Sequence, residues 1–281
     1  MVVLLSLGSA LAYGLSDFIG GLLSRRISPW SVAVVGQSTA TVLTLGLALA
    51  VSGNPTASDW WWSALGGIGS GTGAAILYRG LGAGSMAVVA PVSALFAALV
   101  PVAVGVLTGE RPEELTWLGV ACALPAIWLV SQVEDHPDSG PAGRRRSAEL
   151  ADGVLAGLGF GLLFAALGQV PEEAGFGPLA LTQAVAVLST VVLAVALRAP
   201  WWPQDGAAVG AATVGLLGTA ATAMFLLATQ TGLLTVAGVL SSLYPATTVL
   251  LAALVLHERI SRPQGAGLVL AAVAVALVAA G

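Results

Sequence analysis

The chain has 281 residues, of which 57% are apolar and only 9% charged, and its mean hydropathy is +0.94. Soluble domains carry about 25% charged residues. With 10 basic and 14 acidic side chains and a net charge of −4, this chain cannot coat a water-facing surface of its size, and a water-soluble protein is excluded. All basic residues are Arg, which points to a GC-rich bacterial genome and so to a bacterial plasma membrane; no nucleic-acid partner is expected.

A hydrocarbon core of about 30 Å needs roughly 20 apolar residues per helix. That ruler places spans at 2–22, 30–51, 60–81, 85–107 and 115–133, then at 150–169, 177–198, 207–229, 233–256 and 264–280. The stretch from Met1 to Leu23 lacks a basic leader and is too long for a secretory signal core, so it reads as the first span. Breakers separate the spans at Ile27-Ser28-Pro29, Ser52-Gly53-Asn54-Pro55, Arg111-Pro112, Ala199-Pro200 and Arg262-Pro263. Trp60-Trp61-Trp62 and Trp201-Trp202 fall at span edges, where amphipathic rings prefer the headgroup zone. The lone Cys122 lies in a span, while His136 and His257 lie outside the spans, so no disulfide, metal site or cofactor is expected.

A polar linker, 134–149, with Glu134-Asp135-His136-Pro137 and Arg144-Arg145-Arg146, divides the chain into 1–133 and 150–281. The two parts resemble each other. A shift of 148 positions places Gly67 on Gly215, Ser93 on Ser241, Glu110-Arg111 on Glu258-Arg259 and Gly119 on Gly267. Ala and Gly matches alone would be chance in so biased a composition; the paired Glu-Arg dipeptides are not. Five spans per part is an odd number, so the second copy enters the membrane upside down. The expected fold is an all-α integral membrane protein of ten transmembrane helices, built as two inverted five-helix repeats, an architecture common among secondary transporters.

The stretch Tyr78-Arg79-Gly80-Leu81-Gly82-Ala83-Gly84-Ser85, followed by Ala90-Pro91-Val92 and Gly109-Glu110-Arg111, resembles the EamA-type repeats of the drug/metabolite transporter superfamily. Ser241-Ser242-Leu243-Tyr244-Pro245 and His257-Glu258-Arg259 resemble the same signature in the second half. The resemblance covers essentially the whole chain and implies a ten-helix carrier, often an exporter of amino acids or related metabolites, without naming a substrate. Pro245 aligns with Ala97, between Pro91 and Pro101, so kinks in the two halves need not match.

Asp17 is the foremost site candidate, because it is the acid that lies deepest in any span. A carboxylate there costs several kcal/mol unless paired, hydrated or protonated, and is functional by default. Ser6, Ser9, Tyr13, Ser16, Asp17, Gly20 and Ser24 recur at three- and four-residue spacing, a polar stripe that should face a watery cavity or another helix. Proton coupling suits Asp17; a hydrogen bond to a neighbouring helix, or hydration near the interface, would be structural alternatives. The equivalent part of the second half has Phe160, Gly161, Leu163 and Phe164 and no acid, so a site on Asp17 is asymmetric.

Pro91, Pro101 and Pro245 each free the carbonyl four residues earlier, those of Ala87, Ala97 and Ser241, and freed carbonyls at mid-membrane need partners. Ser93, Phe96, Ser241, Ser242 and Tyr244 lie close by as cavity candidates. Gln37 and Gln183 are buried amides for which an interhelical hydrogen bond is the first expectation, Gln37 also being a solute candidate. Tyr78 and Arg79 end the third span, where Arg79 could hold a carboxylate or snorkel to headgroups. Glu110-Arg111 and Glu258-Arg259 read as structural anchors at span ends. Gly66, Ser70 and Ala74, like Gly67, Gly71 and Ala75, follow small-xxx-small spacing for close helix packing.

The reading that results is a secondary carrier for a small polar or amphipathic metabolite, amino-acid-like or cationic, with a proton as the candidate coupling partner and efflux as the expected direction. A lipid-headgroup flippase of the same fold is the nearest rival. An intramembrane enzyme lacks a nucleophile–base pair or a ligand set, and a scaffold leaves the stripe on the first span without purpose. Oligomeric state is left open, with a monomer sufficient. Nine Arg follow odd-numbered spans and only Arg111 an even one, so the positive-inside rule puts both termini outside; the family resemblance implies both termini inside.

Overall fold

The computed structural model describes residues 1–83, 86–131, 142–203, 208–255, 257 and 259–281. Its elements in chain order are α1 (Val2–Ser24), α2 (Pro29–Ala50), α3 (Ala57–Gly82), α4 (Met86–Leu107), α5 (Glu114–Val130), α6 (Ala142–Leu167), a 3-10 turn (Glu172–Ala174), α7 (Gly177–Ala196), α8 (Ala208–Thr231), α9 (Leu234–Ser241), α10 (Tyr244–Val255) and α11 (Arg262–Ala280). The described residues contain no strand. Helices α9 and α10 follow one another as one membrane-length segment, Leu234–Val255, so the elements make ten segments. Seven of these are long and apolar enough to cross a bilayer by length and composition, and α3, α4 and α5 complete the set.

Local sequence explains the starts. Pro29 stands in the first turn of α2, where its missing N–H costs nothing. Thr56 and Asp59 form a capping box on α3, the Thr56 N–H donating to Asp59 Oδ2 at 2.7 Å. Ser261 and Gln264 do the same for α11, at 2.9 Å from the Ser261 N–H to Gln264 Oε1. One expectation shifts. Helix α6 begins at Ala142, inside the stretch expected as linker, because Ala, Arg, Glu and Leu in 142–150 are good helix formers that extend the helix beyond its apolar part. Helix α4 runs unbroken through Pro91 and Pro101, whereas its counterpart breaks at Ser242-Leu243, just ahead of Pro245. The linker residues 132–141, with Gly84, Ser85 and Glu258 of the repeated motifs, lie outside the described residues.

Loop contacts sort the helix ends onto two faces. On one face the Ser28 hydroxyl donates to the Pro200 carbonyl, Ser31 donates to the Trp202 carbonyl at 3.3 Å, and Arg79 near the end of α3 pairs with Asp152, about three turns into α6. On the other face the Asn54 N–H donates to the Glu173 carbonyl at 2.8 Å, Gly232 packs on Val2, and Gly281 packs on Thr116. Both termini therefore share a face with the loops that follow α2, α4, α6 and α8. Trp61 and Trp202, 73% and 67% exposed, mark the edges of the apolar belt.

Contacts between the halves are reciprocal. Helix α3 packs on α6 as α8 packs on α1, and α3 on α7 as α8 packs on α2. At the α5–α11 seam, a Cβ on Gly119 would meet Val278 Cγ2 at 2.5 Å, and one on Gly267 would meet Val130 Cγ2 at 2.8 Å. Gly119 and Gly267, and Val130 and Val278, correspond by the same shift of 148 positions. Gly67 nests against Thr182 and Val185 of α7, and Gly215 against Gly36 and Thr39 of α2. Small residues thus let backbones touch where no hydrophobic effect drives helices together.

Candidate functional site

The polar stripe of α1 divides its duties. Ser16 donates to the Val214 carbonyl of α8 at 3.2 Å, and the Ser6 carbonyl accepts from Ser241 of α9 at 3.4 Å, so these positions pack helices. Gly14 lies against Thr247, and Gly20 lies under the ring of Tyr78, whose Cε1 would stand 2.7 Å from an added Cβ. Tyr13 and Asp17, one turn apart, face a central cavity walled by α1, α2, α3, α6, α7, α8 and α10.

Six of the ten candidates meet there: Tyr13, Ser16, Asp17, Gln37, Tyr78 and Tyr244. Two amides reach into it in matching ways. Gln37 of α2 donates to Ser70 of α3 at 3.3 Å, and Gln183 of α7 donates to Thr222 of α8 at 3.2 Å, which are the interhelical bonds expected of them. Part of the lining is aromatic. Tyr13 tilts against Phe164 and Tyr244, with ring centroids 5.7 Å and 6.3 Å away, and Phe164 stacks on Phe225 at 4.4 Å. Phe160 and Phe164 occupy the place where the second half has no acid, so the cavity is asymmetric, lined by a carboxylate from one half and rings from the other.

The remaining four candidates lie elsewhere. Ser93 is buried and donates to the Ala90 carbonyl at 3.0 Å, Phe96 packs along α6 beside Gly157, and Ser241 packs against α1. Arg79 pairs with Asp152 across α3 and α6, with the two side chains 39% and 21% exposed. Of the two roles left open for Arg79, holding a carboxylate and snorkelling to headgroups, the contact made is with a carboxylate, one of the protein's own.

Several polar atoms at the cavity have no protein partner among the described residues. The hydroxyls of Tyr13 and Tyr244, the latter beside Ser93, and Gln183 Oε1 are buried without one, and no described Arg or His pairs with Asp17. Buried polar groups are nearly always hydrogen-bonded, and three of the seven free ones among the described residues lie on this one space.

Sequence reasoning missed two features. Glu110, read as an anchor, reaches 124 residues along the chain: its carboxylate accepts the backbone N–H groups of Leu234 and Thr235, the latter at 2.9 Å, and so caps α9 from the other half. Gly109 permits this with a φ of +105°, a left-handed turn that favours glycine. Phe225 was the other omission; its burial under Phe164 follows from no motif.

A model of the EamA-like transporter family matches residues 1–132 and again residues 150–280. The chain belongs to the EamA-like transporter family. This EamA-like protein is therefore a multi-pass membrane protein of a transporter family. No curated protein matches its sequence. Among solved structures, one described only as a crystal structure of a protein has a TM-score of 0.70 at 17% identity, covering 98% of this chain and 95% of its own. That likeness carries the fold of the EamA-like chain and nothing about its solute.

Proposed function

We propose that this EamA-like protein is a secondary carrier that moves a small amphipathic metabolite with a cationic group across the bacterial plasma membrane, in the direction of export. The observation that carries the reading is the convergence of an unpaired carboxylate, two tyrosine hydroxyls and an amide oxygen on one cavity walled by both halves. A cavity lined by both a carboxylate and aromatic rings suits an organic cation, which the charge holds and the rings attract. Asp17 then holds either the cation or a proton, not both, so binding one releases the other.

The halves act as inverted repeats in this reading, and the reciprocal packing at Gly119 and Gly267 supports it. Two such halves exchange conformations and thereby swap the face to which the cavity opens. Exchange at Asp17 couples outward movement of the cation to inward movement of protons.

The test uses proteoliposomes containing a pH-sensitive dye, challenged with a panel of amines and amino acids. Solute-driven proton movement is expected with the wild type and absent with Asp17→Asn. Full coupled flux in Asp17→Asn overturns the assignment of Asp17.

A further inference from the structure

A second chamber adjoins the central cavity, lined from α1, α3, α4 and α10 and by Ser131 at the end of α5. The two spaces share two lining residues, Asp17 and Tyr244. Their chemistry differs. The central cavity carries the amides of Gln37 and Gln183 and the hydroxyls of Ser70 and Thr222. The side chamber is walled by Leu77, Leu81, Ala90, Pro245 and Val249.

Among the described residues, its two other polar side chains are already engaged. The Ser131 hydroxyl donates to the Ile127 carbonyl at 2.8 Å, and the Thr248 hydroxyl turns to the carbonyls of Tyr244 and Gly14, at 3.3 Å and 3.4 Å. From its described residues the chamber offers a ligand an apolar wall with one carboxylate and one phenol. A small polar amine would leave that wall unused, and water would gain almost no partners there. A chain attached to a cation held at Asp17 would fill it, at about 0.8 kcal/mol for each buried methylene.

We propose that the side chamber binds an aliphatic chain of the transported amine, whose polar end occupies the central cavity. The solute class is thus an amine carrying an unbranched or lightly branched hydrocarbon arm. The inference rests on the reading of Asp17 as the cation-binding group.

The experiment is calorimetric titration of the full chain in lipid nanodiscs, with empty nanodiscs as blank, using tetramethylammonium and then butyl-, hexyl- and octyltrimethylammonium. Fixed charge removes protonation from the series. Affinity is expected to rise about fourfold per added methylene until the chamber is full. Ala90→Leu should end that rise at a shorter chain and Val249→Ala at a longer one, both leaving tetramethylammonium binding unchanged. Val249→Ala only creates space, so it keeps the test alive if Ala90→Leu fails to fold. A rise with chain length that neither variant alters, or no rise at all, overturns the chamber and leaves Asp17 standing. Wild-type tetramethylammonium binding by Asp17→Asn overturns the Asp17 reading, and the chamber proposal with it.

Discussion

The carboxylate of Glu110 accepts the backbone N–H of Thr235 at 2.9 Å, tying the loop after α4 to the first turn of a helix in the opposite half. The Leu234 N–H is held by the same group, so one side chain satisfies two of the unpaired donors that open α9. A negative charge at that end also opposes the helix dipole favourably.

Glu110→Ala should therefore cost about 1–2 kcal/mol of stability, the range seen for lost N-caps, with Glu110→Gln in between. Thermal or denaturant unfolding of the purified protein in detergent measures this. Equal stability of the alanine variant and the wild type would show that the cap is idle.

Close helix approach at Gly67 leaves no room for a side chain: an added Cβ would stand 2.5 Å from the Thr182 carbonyl oxygen and 2.6 Å from Val185 Cβ. Gly67→Val is expected to destabilise by about 1–3 kcal/mol or more, as overpacking does. Gly46, in contrast, has nothing within 4 Å of its would-be Cβ. Gly46→Ala should be neutral or gain up to about 1 kcal/mol through helix propensity. Unfolding midpoints of the two variants should move in opposite directions, or only the first should move.

Gln183 Oε1 is buried without a partner while its amide nitrogen holds Thr222. A group kept unsatisfied beside a cavity trades stability for use. Gln183→Leu should raise the unfolding temperature and lower solute-coupled proton flux together. A variant that is more stable and equally active would show that the amide plays no part in solute binding.

The Arg79–Asp152 pair is partly exposed, so its strength is modest. A double-mutant cycle with Arg79→Ala and Asp152→Ala should return a coupling of about 0.2–1 kcal/mol in unfolding free energy. A coupling of zero would mean that the contact contributes nothing to closure of that face.

Much of this was legible in order, from hydropathy to helix to site. Ten apolar stretches are visible because a bilayer demands a fixed length of apolar chain, and the Ser/Tyr/Asp stripe on α1 stands out against so apolar a background. Asp17, Tyr13 and Tyr244 could be named because polar groups at that depth are rare. The aromatic wall could not. Phe160, Phe164 and Phe225 look like ordinary lipid-facing or core residues until α6 and α8 are placed in space. Arg79 and Glu110 were visible as charges, but their partners lie 73 and 124–125 residues away, beyond any local pattern. The prolines act as the unequal alignment of Pro245 with Ala97 allowed: α4 continues through its two prolines where α9 and α10 part.

One consequence follows from the position of Arg79. Under the shift that relates the halves, Arg79 corresponds to Leu227 and Asp152 to Leu4, both exposed leucines on the opposite face. The molecule thus has an electrostatic clasp between α3 and α6 near one face and leucines at the matching positions near the other. If its two ends open in turn, they do not open with equal ease: with no gradient imposed, the population leans toward the form in which the clasp is shut. Half-saturation by the same solute would then differ between the two sides, and added salt would narrow the difference.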